Sequence, residues 1–276
     1  MIKIVICVRN RLGITKKCIE SIKRHTTSKH QIYIYDNLTN YRLEDHFTYF
    51  KKLYLKNIIQ QYTVNSVDST FDAFSKVVAL NQFGYHHEMD PKKDKYDYLV
   101  FLDNDMIVNP EWDLYVKEAW EYVNATNSLN SIRVITQFPG GMKHIKSLQL
   151  KIREAFLYSG KLGGSGFWAV GSDFFRKVGF LDCKAFIGKN KKHDQFYWNK
   201  LNRSSMNRNY MLGIQEKLVI HAGGIAGSVC NALTREKSID KKLEKVKFKE
   251  VDAKIEALTF DEFYNGIKDK HKLYKW

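Results

Sequence analysis

The stretch from Tyr96 to Trp112, YDYLVFLDNDMIVNPEW, decides the reading of this chain. Four apolar residues in a row, Leu99 to Leu102, describe a strand buried on both faces, and they run directly into Asp103-Asn104-Asp105. Successive strand side chains point to opposite faces, so residues two apart share a face. If that geometry continues, the carboxylates of Asp103 and Asp105 both face one bound cation. Hard oxygen donors of this kind suit Mg2+ and Mn2+, which complete their shells with water and substrate phosphate. The carboxyl end of a buried strand in an α/β sheet is also where ligands collect. The plain alternative is a solvated Asp-Asn-Asp turn, helped by Asn109-Pro110 just downstream.

Outward from this strand, the upstream chain repeats the pattern. Ile2 to Val8 is a short apolar strand followed by the polar loop Arg9-Asn10-Arg11-Leu12-Gly13. Ile14, Cys18, Ile19 and Ile22 then fall on one helical face, with Lys16, Lys17, Glu20 and Lys23 opposite. Gln31 to Tyr35 is a second strand leading to Asp36-Asn37, so strand, helix and strand form a unit that favours a parallel sheet with a right-handed crossover. Asp36 is either a turn aspartate or a hydrogen-bond acceptor for a nucleotide base or ribose. A third strand is expected within Asn57 to Val64. After it, Phe71, Phe74, Val78 and Leu80 mark a helix that stops at Gly84, and His86 to Asp94 reads as a solvated polar loop.

Downstream, Leu114 to Val123 reads as a helix and Ile132 to Ile135 as a strand. Residues 140 to 155 mix basic and apolar side chains. Gly163-Gly164-Ser165-Gly166 turns into a strand at Phe167 to Val170, where glycines permit close backbone approach to a ligand or simply a flexible hairpin. Ser172 to Val178 looks like a capped helix. From Gly188 to Tyr210 the chain is strongly basic, with Lys189, Lys191, Lys192, Lys200, Arg203 and Arg208 around the single acid Asp194. Phe196, Tyr197, Trp198 and Tyr210 interleave aromatics with these charges, a composition suited to a phosphate backbone with base stacking, or to a helix with an aromatic core face. Leu218 to Ile220 is a short strand that leaves through His221 into Gly223-Gly224; this histidine either completes a metal or phosphate site or fills the core. Beyond residue 229 Lys and Glu alternate and apolar residues recur at helical spacing, so 229–276 is expected to be a helical extension, packed on the domain or standing as an arm.

Composition narrows the classes. With 276 residues, 44% of them hydrophobic, the chain can bury a sizeable core. No apolar run approaches a membrane span, and MIKIVICVRN enters a strand instead of a signal peptide. Cys7, Cys18, Cys183 and Cys230 lack any CxxC spacing and read as reduced thiols of a cytoplasmic protein. The net charge of +15 favours anionic partners, either nucleic acid, an acidic membrane surface or a charged small substrate, unless it reflects only a Lys-, Asn- and Tyr-rich composition.

The ordered elements, Arg9-Asn10-Arg11 after the first strand, Asp36-Asn37 after the second, LVFLDND, GGSGFWAVGSDFFRKVGFLD, His193-Asp194 and the late His221, together resemble the GT-A glycosyltransferases, family 2 in particular, over roughly residues 1 to 225. The resemblance implies a GT-A, Rossmann-like α/β fold: a mixed, mainly parallel sheet flanked by helices over 1–228, with the helical extension outside it. It implies a nucleotide-sugar donor, UDP-linked by expectation, held by Arg9, Asn10, Asp36, Asp103 and Gly164. Asp105 and His221 would hold Mn2+ or Mg2+, and Asp194 would be the catalytic base of an inverting transfer. His193 replaces the first acid of the family's Glu-Asp pair, a departure from the pattern.

For the acceptor three readings compete. Hydroxymethylated bases in DNA, as in virus-encoded DNA-glycosylating enzymes acting in a host cytoplasm, fit the charge and the basic stretch. A cell-envelope or lipid-linked glycan would place the basic residues against anionic headgroups. A non-catalytic nucleic-acid-binding protein on a transferase scaffold fits worst, because a binder of polyanions gains nothing from Asp103, Asp105 and Asp194.

Overall fold

The computed structural model describes residues 1–37, 42–65, 72–88, 96–138, 146–160, 166–180, 211–215, 217–222 and 250–273. In it, the apolar run that opens the chain and the run before Asp103 become adjacent parallel strands. β1 (Ile2–Val8) lies between β2 (His30–Asn37) and β4 (Tyr98–Asp103), and β3 (Gln61–Asn65) extends β2 at the sheet edge. All three pairings in this block are parallel. Beyond β4 the sheet is mixed. β9 (Phe167–Gly171) runs antiparallel to β4 and to β6 (Val134–Phe138), and β10 (Met211–Gln215) runs parallel to β6. The antiparallel hairpin of β7 (Lys146–Ile152) and β8 (Ala155–Gly160) closes the nine-stranded sheet against β10.

Both faces of the central strands are covered, which is why β1 and β4 are continuous apolar runs instead of alternating ones. One core gathers Ile4, Ile6, Val8, Val100 and Leu102 with Ile14, Cys18 and Ile22 of α1 (Leu12–His25) and Trp112, Val116 and Ala119 of α4 (Trp112–Ala125). The other gathers Val5, Leu99, Phe101 and Trp168 with Leu80 and Phe83 of α3 (Asp72–Glu88) and Phe174 and Phe175 of α5 (Phe174–Val178).

Two local expectations are corrected. Helix α3 does not stop at Gly84 but continues to Glu88. A side chain at Gly84 would begin 2.7 Å from the Phe175 ring, so this glycine serves helix–helix contact, not termination. His86 and His87 are therefore helical, not loop residues. The His87 ring is buried, stacked 4.3 Å from the Phe83 ring, and its Nε2 lies 3.3 Å from Gln61 Oε1. Residues Leu43–Leu55 form helix α2, which buries His46, Phe50 and Leu53 at helical spacing.

The C-terminal helices α6 (250–257) and α7 (Phe260–Leu273) lie on α1. In α7, Phe260 and Tyr264 hold the His25 ring at 5.6 and 5.1 Å, and Tyr264 donates to Asn109 Oδ1. Cys7 and Cys18 are both buried. No helix among the described residues is long and apolar enough to cross a membrane.

Candidate functional site

The register places three loop-forming strand ends side by side. Val8 pairs with Asp36 and Cys7 with Asp103, so Arg9, Asp36 and Asp103 leave one edge of the parallel block together. Asp36 and Asp103, separated by one strand, stand about 10 Å apart across the sheet.

Extended geometry ends at Asp103. Asn104 and Asp105 form a turn, after which Met106–Val108 starts a short strand, β5, paired antiparallel with β11 (Val219–His221) in a separate two-stranded sheet. The alternation argument for Asp103 and Asp105 therefore does not operate; the turn and β11 do the aiming instead. Met106 pairs with His221, and Ala222 N–H donates to Asp105 O. Gln137 fixes β11 from the side. Its Oε1 accepts Leu218 N–H and Val219 N–H at 2.7 and 2.6 Å, while its Nε2 donates to Val219 O.

Through this arrangement Asp105 Oδ2 meets two nitrogen groups, Arg11 Nη1 at 2.6 Å and His221 Nε2 at 3.4 Å. The Asp105 side chain is 11% exposed and His221 57%, so the pair runs from the protein body out to solvent. Burial pushes the Asp105 pKa up, but the hydrogen bonds and charges of His221 and Arg11 outweigh it and hold the group at about 2. Reciprocally, the hydrogen bond to Asp105 raises the His221 pKa against the effect of its burial. Asp105 is thus a fixed anion that already attracts cations.

Arg11 reaches it from an unusual backbone. Asn10 and Arg11 both have left-handed conformations, with φ of 54° and 60°, which costs of order 1–3 kcal/mol for a non-glycine residue. Asn104 helps to hold them there, because its Nδ2 donates to Thr15 Oγ1 at 2.8 Å and to Asn10 O at 3.3 Å. Gly166 completes the floor. Its carbonyl accepts Asp103 N–H, and a side chain there would run into the Met106 methyl and lie 3.5 Å from Asp103 Oδ2.

Asp36 is fully buried. Tyr62 donates to its Oδ2 at 3.3 Å, and His46 Nδ1 lies 3.5 Å from the same oxygen. Burial and then the nearby Asp36 charge push the Tyr62 phenol up, so it remains a donor. Of the residues expected from sequence, Arg9, Asn10, Asp36, Asp103, Asp105 and His221 thus lie at or beside one sheet edge. Gly164, Asp194, Lys189, Lys191, Lys192, Lys200, Arg203 and Arg208 lie outside the described residues. Three participants went unassigned: Arg11, whose partner is 94 residues away, and Asn104 and Gln137, whose polar side chains carry no motif of their own.

For a divalent cation, Asp105 and His221 offer an oxygen and a nitrogen 3.4 Å apart at the solvent side. Among the described residues no three His, Cys, Asp or Glu gather into a ready-made cage. The donor set still fits Mn2+ or Mg2+, which take one or two protein ligands and fill the rest with water and phosphate; the imidazole favours Mn2+ of the two. The Arg11 guanidinium resting on Asp105 Oδ2 marks the oxygen such a cation would use.

No protein-family model and no curated protein sequence matches this chain. Solved structures do. Over 79% of this chain the fold is similar to GalNAc-T7, solved with UDP, GalNAc and Mn2+, with a TM-score of 0.53 and 13% identity. Over 80% it is similar to the mannosyltransferase PcManGT from Pyrobaculum calidifontis, solved with GDP-Man and Mn2+, with a TM-score of 0.52 and 10% identity. The S. aureus protein TarS aligns over 79% of this chain, with a TM-score of 0.50 and 12% identity. The chain spans 44%, 56% and 36% of those three proteins. At these identities the likeness is one of architecture: the mixed α/β sheet with flanking helices is the GT-A glycosyltransferase fold.

Proposed function

We propose that the chain is a divalent-cation-dependent glycosyltransferase that moves a sugar from a nucleotide-sugar donor to an acceptor hydroxyl. The observation that carries this reading is the triad Arg11, Asp105 and His221, a largely buried carboxylate between a guanidinium and an imidazole at the carboxyl edge of a parallel block. Its support comes from fold relatives, two of which hold a nucleotide or nucleotide sugar with Mn2+.

Asp105 and His221 would hold the cation, which neutralises the negative charge that develops on the leaving diphosphate. Asp105 is suited to this because it stays ionised well below neutral pH. Arg11, held beside the same carboxylate, would offer the diphosphate a guanidinium, a planar fork matched to phosphate oxygens. Asp36 and Asp103 belong to the nucleoside half of the donor, with Arg9, Asn10 and Gly164 around it. Asp194 is the proposed base: it takes the acceptor proton as the hydroxyl attacks the anomeric carbon opposite the leaving diphosphate, a single displacement that inverts configuration.

For the acceptor we propose hydroxymethylated bases in DNA, on the strength of the +15 charge and the basic, aromatic stretch from Gly188 to Tyr210. The test incubates purified protein with Mn2+ or Mg2+, a panel of nucleotide sugars, and hydroxymethylated or unmodified DNA, and reads nucleoside masses. A hexose or pentose mass gain confined to hydroxymethylated DNA supports donor, acceptor and chemistry together. Nucleotide release stimulated instead by lipid-linked or soluble glycans overturns the DNA acceptor and moves the enzyme to envelope glycosylation. DNA binding without release from any donor overturns the transferase reading.

A further inference from the structure

Helix α1 begins without a local cap. Its N-cap residue is Arg11, whose side chain makes no capping hydrogen bond, and the first turn contains no acid. The amides left open by that arrangement are among the four that every helix start presents. Here they are satisfied from 239 residues away: Asp252 of α6 accepts Gly13 N–H through Oδ2 at 3.0 Å and Ile14 N–H through Oδ1 at 3.2 Å. Asp252 is 3% exposed, so this carboxylate is a buried, two-pronged acceptor placed on the positive end of a helix.

Three further contacts come from the same short segment. One turn after Asp252, Glu256 bonds both Lys16 and Arg42, each at 2.5 Å, and Lys17 Nζ donates to Leu258 O. The approach depends on Gly13, where a side chain would begin 2.2 Å from the Asp252 carbonyl oxygen. All these contacts grip the first turn and a half of α1 and the start of α2. Arg11 is the residue immediately before the gripped turn, its carbonyl accepts both Thr15 N–H and Thr15 Oγ1–H, and its φ is 60°.

We infer that Asp252 is a positioning residue for the donor site: by capping α1 in place of a local side chain it holds Arg11 in the left-handed conformation that aims its guanidinium at Asp105. The C-terminal helix is then a working part of the phosphate-binding edge. Asn104 grips the same loop from the strand side, so the loop is held between two side chains from distant parts of the chain. The inference rests on the reading of Arg11 and Asp105 as the donor-phosphate site, and the experiment separates the two.

The first readout needs no substrate: the Arg11 side-chain Nε–H resonance in 15N NMR spectra of the full-length protein, assigned by its loss in Arg11→Lys. In the native protein the Asp105 pair, made through Nη1 of the same guanidinium, should slow its exchange and shift it. Asp252→Ala should collapse it to the position of a solvated arginine, and Asp252→Asn, which keeps one acceptor oxygen, should move it part of the way. Asp261→Asn, which breaks only the outer ion pair with Arg24, should leave it in place. In turnover assays Asp252→Ala should raise the donor KM about five- to tenfold, the scale of one lost cap, with acceptor KM unchanged. In an Arg11→Ala background the same substitution should add nothing further. An Arg11 resonance unmoved in folded Asp252→Ala and Asp252→Asn overturns the positioning role. A resonance that moves as expected in a native protein that turns over no nucleotide sugar leaves the positioning role intact and overturns the transferase reading instead.

Discussion

Replacing Gly13 with alanine sets two known effects against each other. In an ordinary helix the change is favourable by about 1 kcal/mol, because glycine carries the larger conformational entropy. At Gly13 the new methyl would begin 2.2 Å from the Asp252 carbonyl oxygen and 3.0 Å from Glu256 N. Neither atom is the end of a flexible side chain, so α6 must shift as a body. Overpacking of this kind costs about 1–3 kcal/mol. The displaced helix also loses the Asp252 cap, worth about 1 kcal/mol, and the half-exposed Glu256 pairs, worth about 0–1 kcal/mol each. The losses exceed the gain by roughly 1–5 kcal/mol, which for a chain of this size lowers Tm by about 2–4 °C per kcal/mol. Calorimetry gives the global change, and amide hydrogen exchange locates it: amides of 250–257 and those of Gly13 and Ile14 should lose protection while β1 and β4 keep theirs. A Tm that rises by the ordinary helix increment, with α6 still protected, would refute the close docking on which this reasoning stands.

Other expectations follow from the same geometry. Asp105→Asn leaves Arg11 and His221 without the anion between them; turnover should fall by about 100-fold or more, as when a developing charge loses its stabilising partner, and full Mn2+-dependent turnover in this variant would remove Asp105 from the cation site. Gln137→Ala strips two hydrogen bonds from β11 and one from Leu218 before it and should cost about 1–3 kcal/mol in denaturant unfolding, with donor affinity weakened through His221; an unchanged midpoint would show that β5 alone holds β11. Glu256 has a lowered pKa, because its hydrogen bonds to Arg42 and Lys16 outweigh the effect of burial. Its contribution to stability is therefore complete above the ordinary glutamate value and is lost as pH falls through the lower folded value. Stability measured from pH 6 downward should fall less steeply in Glu256→Gln than in the native protein, and identical slopes would assign the acid sensitivity elsewhere.

Much of the site's frame could be read along the chain because its determinants are local. β1 and β4 announce themselves as apolar runs, each ending in polar residues at the sheet edge, and His221 follows its short strand at once. The rest escaped for identifiable reasons. In α2 the stripe of His46, Phe50 and Leu53 is interrupted by exposed Leu43, Phe47, Tyr54 and Leu55, so the helical period is masked by apolar residues that stay in solvent. At Gly84 the usual meaning of glycine, a helix end, is overridden by the Phe175 ring against the backbone. Asp252 sits among alternating Lys and Glu, and nothing in its neighbourhood signals that it caps a helix 239 residues earlier. Asn104 looked like the spacer between two carboxylates, whereas its amide ties the strand end to α1.

The distance along the chain between Gly13 and Asp252 also imposes an order on synthesis. At roughly 5–20 residues per second, the carboxylate that closes α1 is made on the order of 10–50 seconds after the amides it binds. Through that interval β1, α1 and β2 can pair, since their contacts are local, while the Arg11 loop waits for its cap. A ribosome-bound chain would then hold β1, α1 and β2 together with the start of α1 uncapped, until α6 emerges and docks.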